Sequence, residues 1–432
     1  MQSDGRKMVA SIYEQQDMLD CALELGRKMI LAGADVRRVE DTVTRVVEAY
    51  GATEIEVFTI SSLILVSAKW EKGRILTQSK HIVGYGTNLR KLELYNGLAR
   101  RVCATVPTLK EFREGMKQID ISLKRNWFDA LCYFLGVSSM TMFFGGSLLD
   151  GLIAGIIALG VFAFERFLKS PHMNTIVYTM FGSLISGWLC IMFVRLGIGE
   201  HVDKIMIGVV FLFIPTLAVC NAIKDIINQD VVTGLHRLVE AIVITLSMTV
   251  GFFMAYRSTG FVTVSIPELE INSIPYGLQI LYAFIGTFGF SVYFHIKKQR
   301  LISVTIGGGL AWFVFLLSYH LSENSFFANA IAAFIIVLYS EIAARIEKAP
   351  ANIFLIPLVI PLLPGGSLYR CISGLIQGDM SQFSSAGTSF CWALSGIELG
   401  FLIGYIISTR TMKFIQDGIR YNKAKREFYR NK

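Results

Sequence analysis

Leu363-Pro364-Gly365-Gly366-Ser367-Leu368-Tyr369-Arg370-Cys371-Ile372-Ser373-Gly374-Leu375-Ile376-Gln377-Gly378-Asp379 breaks an apolar run with proline and glycine, then sets an arginine inside it. Residues 214–230, Ile-Pro-Thr-Leu-Ala-Val-Cys-Asn-Ala-Ile-Lys-Asp-Ile-Ile-Asn-Gln-Asp, lie 149 positions earlier and repeat the design. In that register Pro215 matches Pro364, Ile223 matches Ile372, Ile227 matches Ile376 and Asp230 matches Asp379. A duplicated, interrupted apolar helix points to the substrate site of a membrane transporter.

The surrounding composition agrees. The 432 residues are 53% hydrophobic and 17% charged, with a mean hydropathy of +0.52, far from the balance of a soluble domain. Residues 1–125 hold 20 Lys/Arg and 16 Asp/Glu and no apolar run of spanning length. From Trp127 onward such runs follow one another. This predicts a cytoplasmic domain over 1–125, a first transmembrane repeat over 126–256, a second over 275–410 and a basic tail over 411–432. No secretory signal is read in Met1–Lys7. The seven cysteines and six histidines are scattered, which predicts no disulfide framework, no metal and no cofactor.

Ten segments reach spanning length: 127–144, 148–168, 174–194, 205–227, 235–256, 275–294, 301–320, 326–345, 353–376 and 387–409. With the N-terminus inside, the inner ends carry Arg166, Lys169, Lys224, Arg237, Lys297, Lys298, Arg300, Arg345, Lys348 and the basic tail. The outer loops hold Arg195, Lys204 and Arg257. That asymmetry predicts cytoplasmic N- and C-termini. The net charge of +8 then reflects basic inner ends beside anionic lipid, with no nucleic-acid partner. Ten spans and a 149-residue repeat give two units of five. Because five is odd, the second unit enters from the opposite side. The fold expected is a polytopic α-helical membrane protein with two inverted five-helix repeats and an N-terminal α/β domain.

In that domain, 14–32 and 35–50 read as helices, with Asp35 as N-cap and a Val36, Val39, Val43, Val47 stripe. Strands are expected at 54–60, 63–70 and 74–83, then helices at 88–105 and 108–123. Thr59, Ser61, Ser62 and His81 read as strand polars and a surface histidine, since nothing fixes a nucleophile–base geometry. Gly84-Tyr85-Gly86-Thr87 before a helix reads as a helix-initiating loop rather than a phosphate cradle.

Polar groups at membrane depth are the candidate substrate-binding residues. Asn221, Asp225 and Asn228 share one face of the fourth span, beside Lys224. An interfacial position for Lys224 and Asp225 is the alternative. In the ninth span Pro364, Gly365 and Gly366 break the helix and expose backbone amides, Tyr369 follows, and Arg370 needs a protein or water neighbour. Glu398 in the tenth span is a proton carrier, a counter-ion to Arg370 or a structural pair; Asp225 is the second candidate for proton coupling.

On these residues the chain resembles the threonine/serine exporter family in its full-length fused form. The likeness rests on Ala32-Gly33-Ala34-Asp35-Val36-Arg37-Arg38-Val39-Glu40, Val57-Phe58 and Asn88-Leu89. It continues in Asn221-Ala222-Ile223-Lys224-Asp225, Gly234-Leu235-His236-Arg237-Leu238 and Pro361-Leu362-Leu363-Pro364-Gly365 with Leu368-Tyr369-Arg370. The chain departs from the family at Thr216, where glycine usually follows the proline. The resemblance implies an inner (plasma) membrane secondary exporter of small hydroxylated amino acids, driven by protons. Split relatives resemble dicarboxylate exporters, and Arg370 suits the carboxylate of either substrate. A homo-oligomer stays open. A membrane-embedded enzyme would need a nucleophile–base pair or metal ligands, and a channel would need rings of groups across subunits; neither pattern is found.

Overall fold

The computed structural model describes residues 12–70, 73–83, 88–121, 127–167, 173–227, 229–260 and 274–430. Along the chain run α1 (Ile12–Leu31), α2 (Val36–Ala49), β1 (Glu54–Ile60), β2 (Leu63–Lys69), β3 (Ile75–His81), α3 (Leu89–Thr105) and α4 (Leu109–Ile121). There follow α5 (Trp127–Phe143), α6 (Leu148–Phe167), α7 (Thr175–Arg195), α8 (Val202–Val210), α9 (Thr216–Ile227) and α10 (Val231–Thr259). The last six helices are α11 (Tyr276–Tyr293), α12 (Leu301–Ser322), α13 (Ser325–Ile346), α14 (Ala351–Val359), α15 (Gly365–Gln377) and α16 (Met380–Arg430). One compact unit gathers the chain up to Asp129 with Leu217–Ile242 and Phe294–Lys297. The other holds Ala130–Thr216, Val243–Tyr293 and everything from Lys298. The unit containing the N-terminal elements thus also takes in most of α9 and the start of α10.

In the first unit β1, β2 and β3 form an antiparallel sheet in that order. A two-residue turn, Ser61-Ser62, sets the register in which Ile60 faces Leu63 and Val57 faces Val66. β2 alternates as a half-covered strand should: Ile64, Val66 and Ala68 are buried between less buried neighbours. α1 packs on β2 and β3, and α2 on β1. Asp35 caps α2 by accepting from the Arg38 N–H at 3.0 Å. Its buried stripe is Val36, Val39, Val43, Val46 and Val47. Gly84-Tyr85-Gly86-Thr87, Lys169 and Asn228 lie outside the described residues.

Among the described residues, six helices are long and apolar enough to cross a membrane, and α14 with α15 form a bent pair that would make a seventh. The ten segments expected from the sequence include two, 205–227 and 353–376, read as interrupted by proline. α5 and α11 have 17 and 18 residues, and the run 205–227 folds as α8 and α9 with residues 211–215 non-helical between them. Pro215 lacks the N–H that would continue α8's ladder. The run 353–376 bends by 57° between α14 and α15. The break expected at Pro364–Gly366 falls there, with a 3-10 turn over Ile360–Leu362 and α15 starting at Gly365.

The 149-residue offset recurs in the helices. α5 and α11 begin at Trp127 and Tyr276; α8 spans Val202–Val210 and α14 Ala351–Val359; α9 and α15 begin at Thr216 and Gly365; α10 and α16 begin at Val231 and Met380. The turns recur as well. Gln229 (φ 72°) and Gly378 (φ 75°) both take the left-handed conformation. The next residue then donates back to the preceding helix, Asp230 N–H to Asp225 O and Asp379 N–H to Gly374 O, both at 2.9 Å. This is a Schellman-type stop in both copies. Asp379 Oδ1 goes on to accept from the Ser381 and Gln382 N–H groups, capping α16.

Candidate functional site

In the second unit the two breaks come together. Gly365, the first residue of α15, sits where a Cβ would collide with Cδ1 of Ile214 in the α8–α9 break. Beside them lies a cavity of about 180 Å³, smaller than the several hundred Å³ usual for a drug-sized ligand. One wall is aromatic. Phe143 meets Trp312 edge-on at 4.7 Å, Trp312 stacks on Phe315 at 4.5 Å, and Phe144 meets Phe211 at 5.7 Å. The opposite wall is the broken helix, Pro361–Pro364 with Gly366, Ser367 and Arg370. Arg370 is the only charged side chain among the described residues lining the cavity. The first turn of α15 adds amide N–H groups that have no acceptor within their own helix. A guanidinium over a helix N-terminus favours a carboxylate. Polar residues of α13 and α16, namely Ser325, Asn329 and Ser389, close the remaining side.

The expected site residues therefore divide. Pro364, Gly366 and Arg370 line the cavity. Gly365 packs behind it on Ile214, and Tyr369 is buried edge-on to Phe252 with ring centres 5.9 Å apart. Glu398 is half-buried on α16 and does not line the cavity. Asn221 and Asp225 do not line it either. They belong to the other unit, and apart from Arg237 their partners lie far away in sequence.

Asn221 Nδ2 donates to the carbonyl of Gly33 at 3.1 Å. Asp225 is fully buried and pairs with Arg237, which is 1% exposed, at 3.1 Å. The Val36 N–H reaches Asp225 Oδ1 at 3.4 Å, Arg237 donates to Ala34 O at 3.0 Å, and Lys224 lies 3.6 Å from Asp35. Two acids and two bases thus close a neutral, buried cluster under the turn between α1 and α2. Nearby, Ser61 Oγ meets His236 Nδ1 at 3.0 Å, and the Asn88 N–H donates to Ala32 O at 3.2 Å. These are the motif residues on which the resemblance rests, so Ala32–Val36, Asn221–Asp225 and His236-Arg237 form one structural feature. Glu40, on α2, accepts from the Thr59 N–H at 2.8 Å; burial nonetheless holds its carboxyl above the usual range.

Asp150, Glu200 and His201 also meet, close enough to share a cation. The Asp150 carboxylate already accepts from the Ser147, Glu200 and His201 N–H groups at 3.0, 2.9 and 3.1 Å and from His201 Nδ1 at 2.9 Å. It works as a clamp at the start of α6. Glu341 and Arg345 are a one-turn pair at 3.8 Å near the end of α13. Sequence reading missed Asn329, Ser325, Ser389 and the aromatic wall. The available signal was a buried-type amide within an apolar helix; the other residues lining the cavity lie in distant segments and leave no periodicity.

Apolar helices, two breaks in contact and a small cavity with one cation define a multi-pass membrane protein of the transporter class. The family described as "Putative threonine/serine exporter" matches residues 20–258, and that described as "Threonine/Serine exporter, ThrE" matches residues 279–407. The chain belongs to the threonine/serine exporter family. It is 19% identical over 404 residues to a probable threonine/serine exporter of Mycobacterium tuberculosis, covering 89% of this chain and 75% of the relative. It is 21% identical over 409 residues to a threonine/serine exporter of Corynebacterium glutamicum, covering 91% and 83%. A probable succinate transporter subunit, YjjP, of Klebsiella aerogenes is 24% identical over 259 residues, covering 59% of this chain and 98% of the relative. No solved structure matches the chain.

Proposed function

We propose that this chain is a secondary exporter of small hydroxylated amino acids, threonine and serine, working by alternating access at the cavity beside the two helix breaks. The observation that carries the reading is Arg370 in a small, otherwise uncharged cavity lined by the α14–α15 break. Arg370 binds the substrate carboxylate, aided by the first-turn amides of Gly366 and Ser367. The 149-residue recurrence of helices and turns supports two repeats over 126–256 and 275–410; counting α5, α11 and the two broken runs as spans gives five per repeat, an odd number that inverts the second. The cytoplasmic domain covers 1–125 and both termini face the cytoplasm of the inner membrane, as the basic inner ends suggest. Protons drive export through Asp225 or Glu398.

Counterflow of labelled threonine or serine in proteoliposomes tests the reading. Arg370→Ala should abolish it, and Arg370→Lys should impair it, because the charge survives without the planar two-point fork. Normal counterflow by correctly inserted Arg370→Ala removes Arg370 from the site. An imposed pH gradient should drive accumulation in the parent and fail in Asp225→Asn or Glu398→Gln. The relative named as a succinate transporter subunit favours a second reading, a dicarboxylate substrate, for which succinate counterflow is the test.

A further inference from the structure

Asn329 lines the same cavity as Arg370 and is 4% exposed. Its Nδ2 donates to the Ser325 carbonyl at 2.8 Å within α13. A carbonyl only accepts, so the amide nitrogen must be the atom facing it, which fixes the orientation of the side chain. Oδ1 is left buried with no hydrogen-bond donor among the described residues. Buried polar atoms are normally satisfied, and an orphaned acceptor in a cavity wall calls for a ligand or water.

The charge inventory says which ligand. The described lining holds one cation, Arg370, and no carboxylate. A zwitterion needs a cation for its carboxylate and acceptors for its ammonium. A dicarboxylate needs a second donor set instead, and an amide oxygen repels its second carboxylate. A fixed Asp or Glu at this place would also attract the Arg370 guanidinium; a neutral amide oxygen accepts from the ammonium without that competition.

We infer that Asn329 is the residue that reads the substrate's ammonium group through Oδ1 and so selects an amino acid over a dicarboxylate. This rests on the exporter reading above. The Ser325 bond holds the amide in place, and Ser389, on α16, supplies a neighbouring hydroxyl.

The test is counterflow of labelled threonine in proteoliposomes of the full chain, with unlabelled threonine, 3-hydroxybutyrate (the same skeleton without the amino group) and succinate as competitors. The parent should prefer threonine strongly. Asn329→Leu keeps the branched outline and removes the acceptor, so the preference for threonine over 3-hydroxybutyrate should shrink about tenfold or more, as expected for a lost hydrogen bond to a charged group. Asn329→Asp keeps an acceptor but also draws the Arg370 guanidinium, so threonine exchange should weaken while threonine stays preferred over 3-hydroxybutyrate and succinate competes less than in the parent. If Asn329→Leu retains the parent's preference, the inference is wrong and the exporter reading stands. If Asn329→Leu does not insert, Asn329→Asp decides, and unchanged competition by succinate overturns the assignment. A parent that exchanges succinate and ignores threonine and serine overturns both readings.

Discussion

Arg237 has almost no exposed surface, and its guanidinium is divided between a carboxylate and a backbone carbonyl. Taking an arginine out of water is costly, and what offsets the cost is the Asp225 pair at 3.1 Å with the bond to Ala34 O. Truncating one partner leaves the other charge buried alone, which typically costs about 3–5 kcal/mol. Arg237→Ala should therefore lower the thermal midpoint of the detergent-purified protein sharply, and Arg237→Met with Asp225→Leu should recover much of the loss. A single mutant with the parent's midpoint would show that the pair contributes little. Asp120 gives a milder case with a pH signature. Burial alone would raise its carboxyl; bonds from Lys28 at 2.6 Å and Tyr95 at 2.5 Å outweigh that and hold it below the usual range. A lowered folded-state value contributes stability above the unfolded pKa, near 4, that is lost as pH falls through the folded value. Asp120→Asn should thus lower the midpoint at pH 7, and the gap from the parent should close below about pH 4. A gap that stays constant down to pH 3 would contradict this assignment.

Among the elements, the crossing of α5 and α11 leaves no room for a side chain. A Cβ on Gly289 would lie 2.5 Å from the Gly136 backbone and 2.6 Å from the Cys132 carbonyl. Backbone cannot rotate out of the way, so the two helices would have to part. Gly289→Ala should reduce the yield of folded protein severely. Gly277→Ala, on the same helix with nothing within 4 Å, should be close to neutral; equal yields would mean the crossing is not tight. The breaks themselves were legible, because proline and glycine act on their own neighbours. So were the strands, whose alternation is local, and the Asp35 cap. The partners of Asn221 and Asp225 were not. Their contacts with Gly33 and Val36 join residues more than 180 positions apart, and a stripe of polar residues on a helix does not say whether substrate, lipid headgroup or another part of the chain covers it. Asp35 shows both sides: its capping role is written in the next three residues, and its approach to Lys224 is written nowhere nearby. Where a span leaves the helix is set by neighbours as well as by hydropathy. Hydropathy sums over 205–227 without registering that residues 211–215 leave the helix.

At the scale of the molecule, the compact units do not follow the boundary in composition near residue 125. Leu217–Ile242 goes with the N-terminal elements, so a cut at 125 would strip the turn at Ala32–Val36 from Asn221, Asp225 and Arg237. A cut between residues 258 and 279, where the two family matches part, keeps that cluster within one piece. It divides the cavity instead. Phe143, Phe144 and Phe211 stay with the first piece, while Trp312, Asn329 and Arg370 go with the second. Each polypeptide then owns half of a pocket. Fragments 1–265 and 266–432, produced separately, should each fail in counterflow, and co-production should restore it; activity from either alone would place the site within one half. When the two are titrated against each other below saturation, initial transport should rise with the product of their amounts. The intact chain should rise only in proportion to its own: joining the halves turns a second-order assembly into a first-order one and makes the completeness of the pocket independent of dilution.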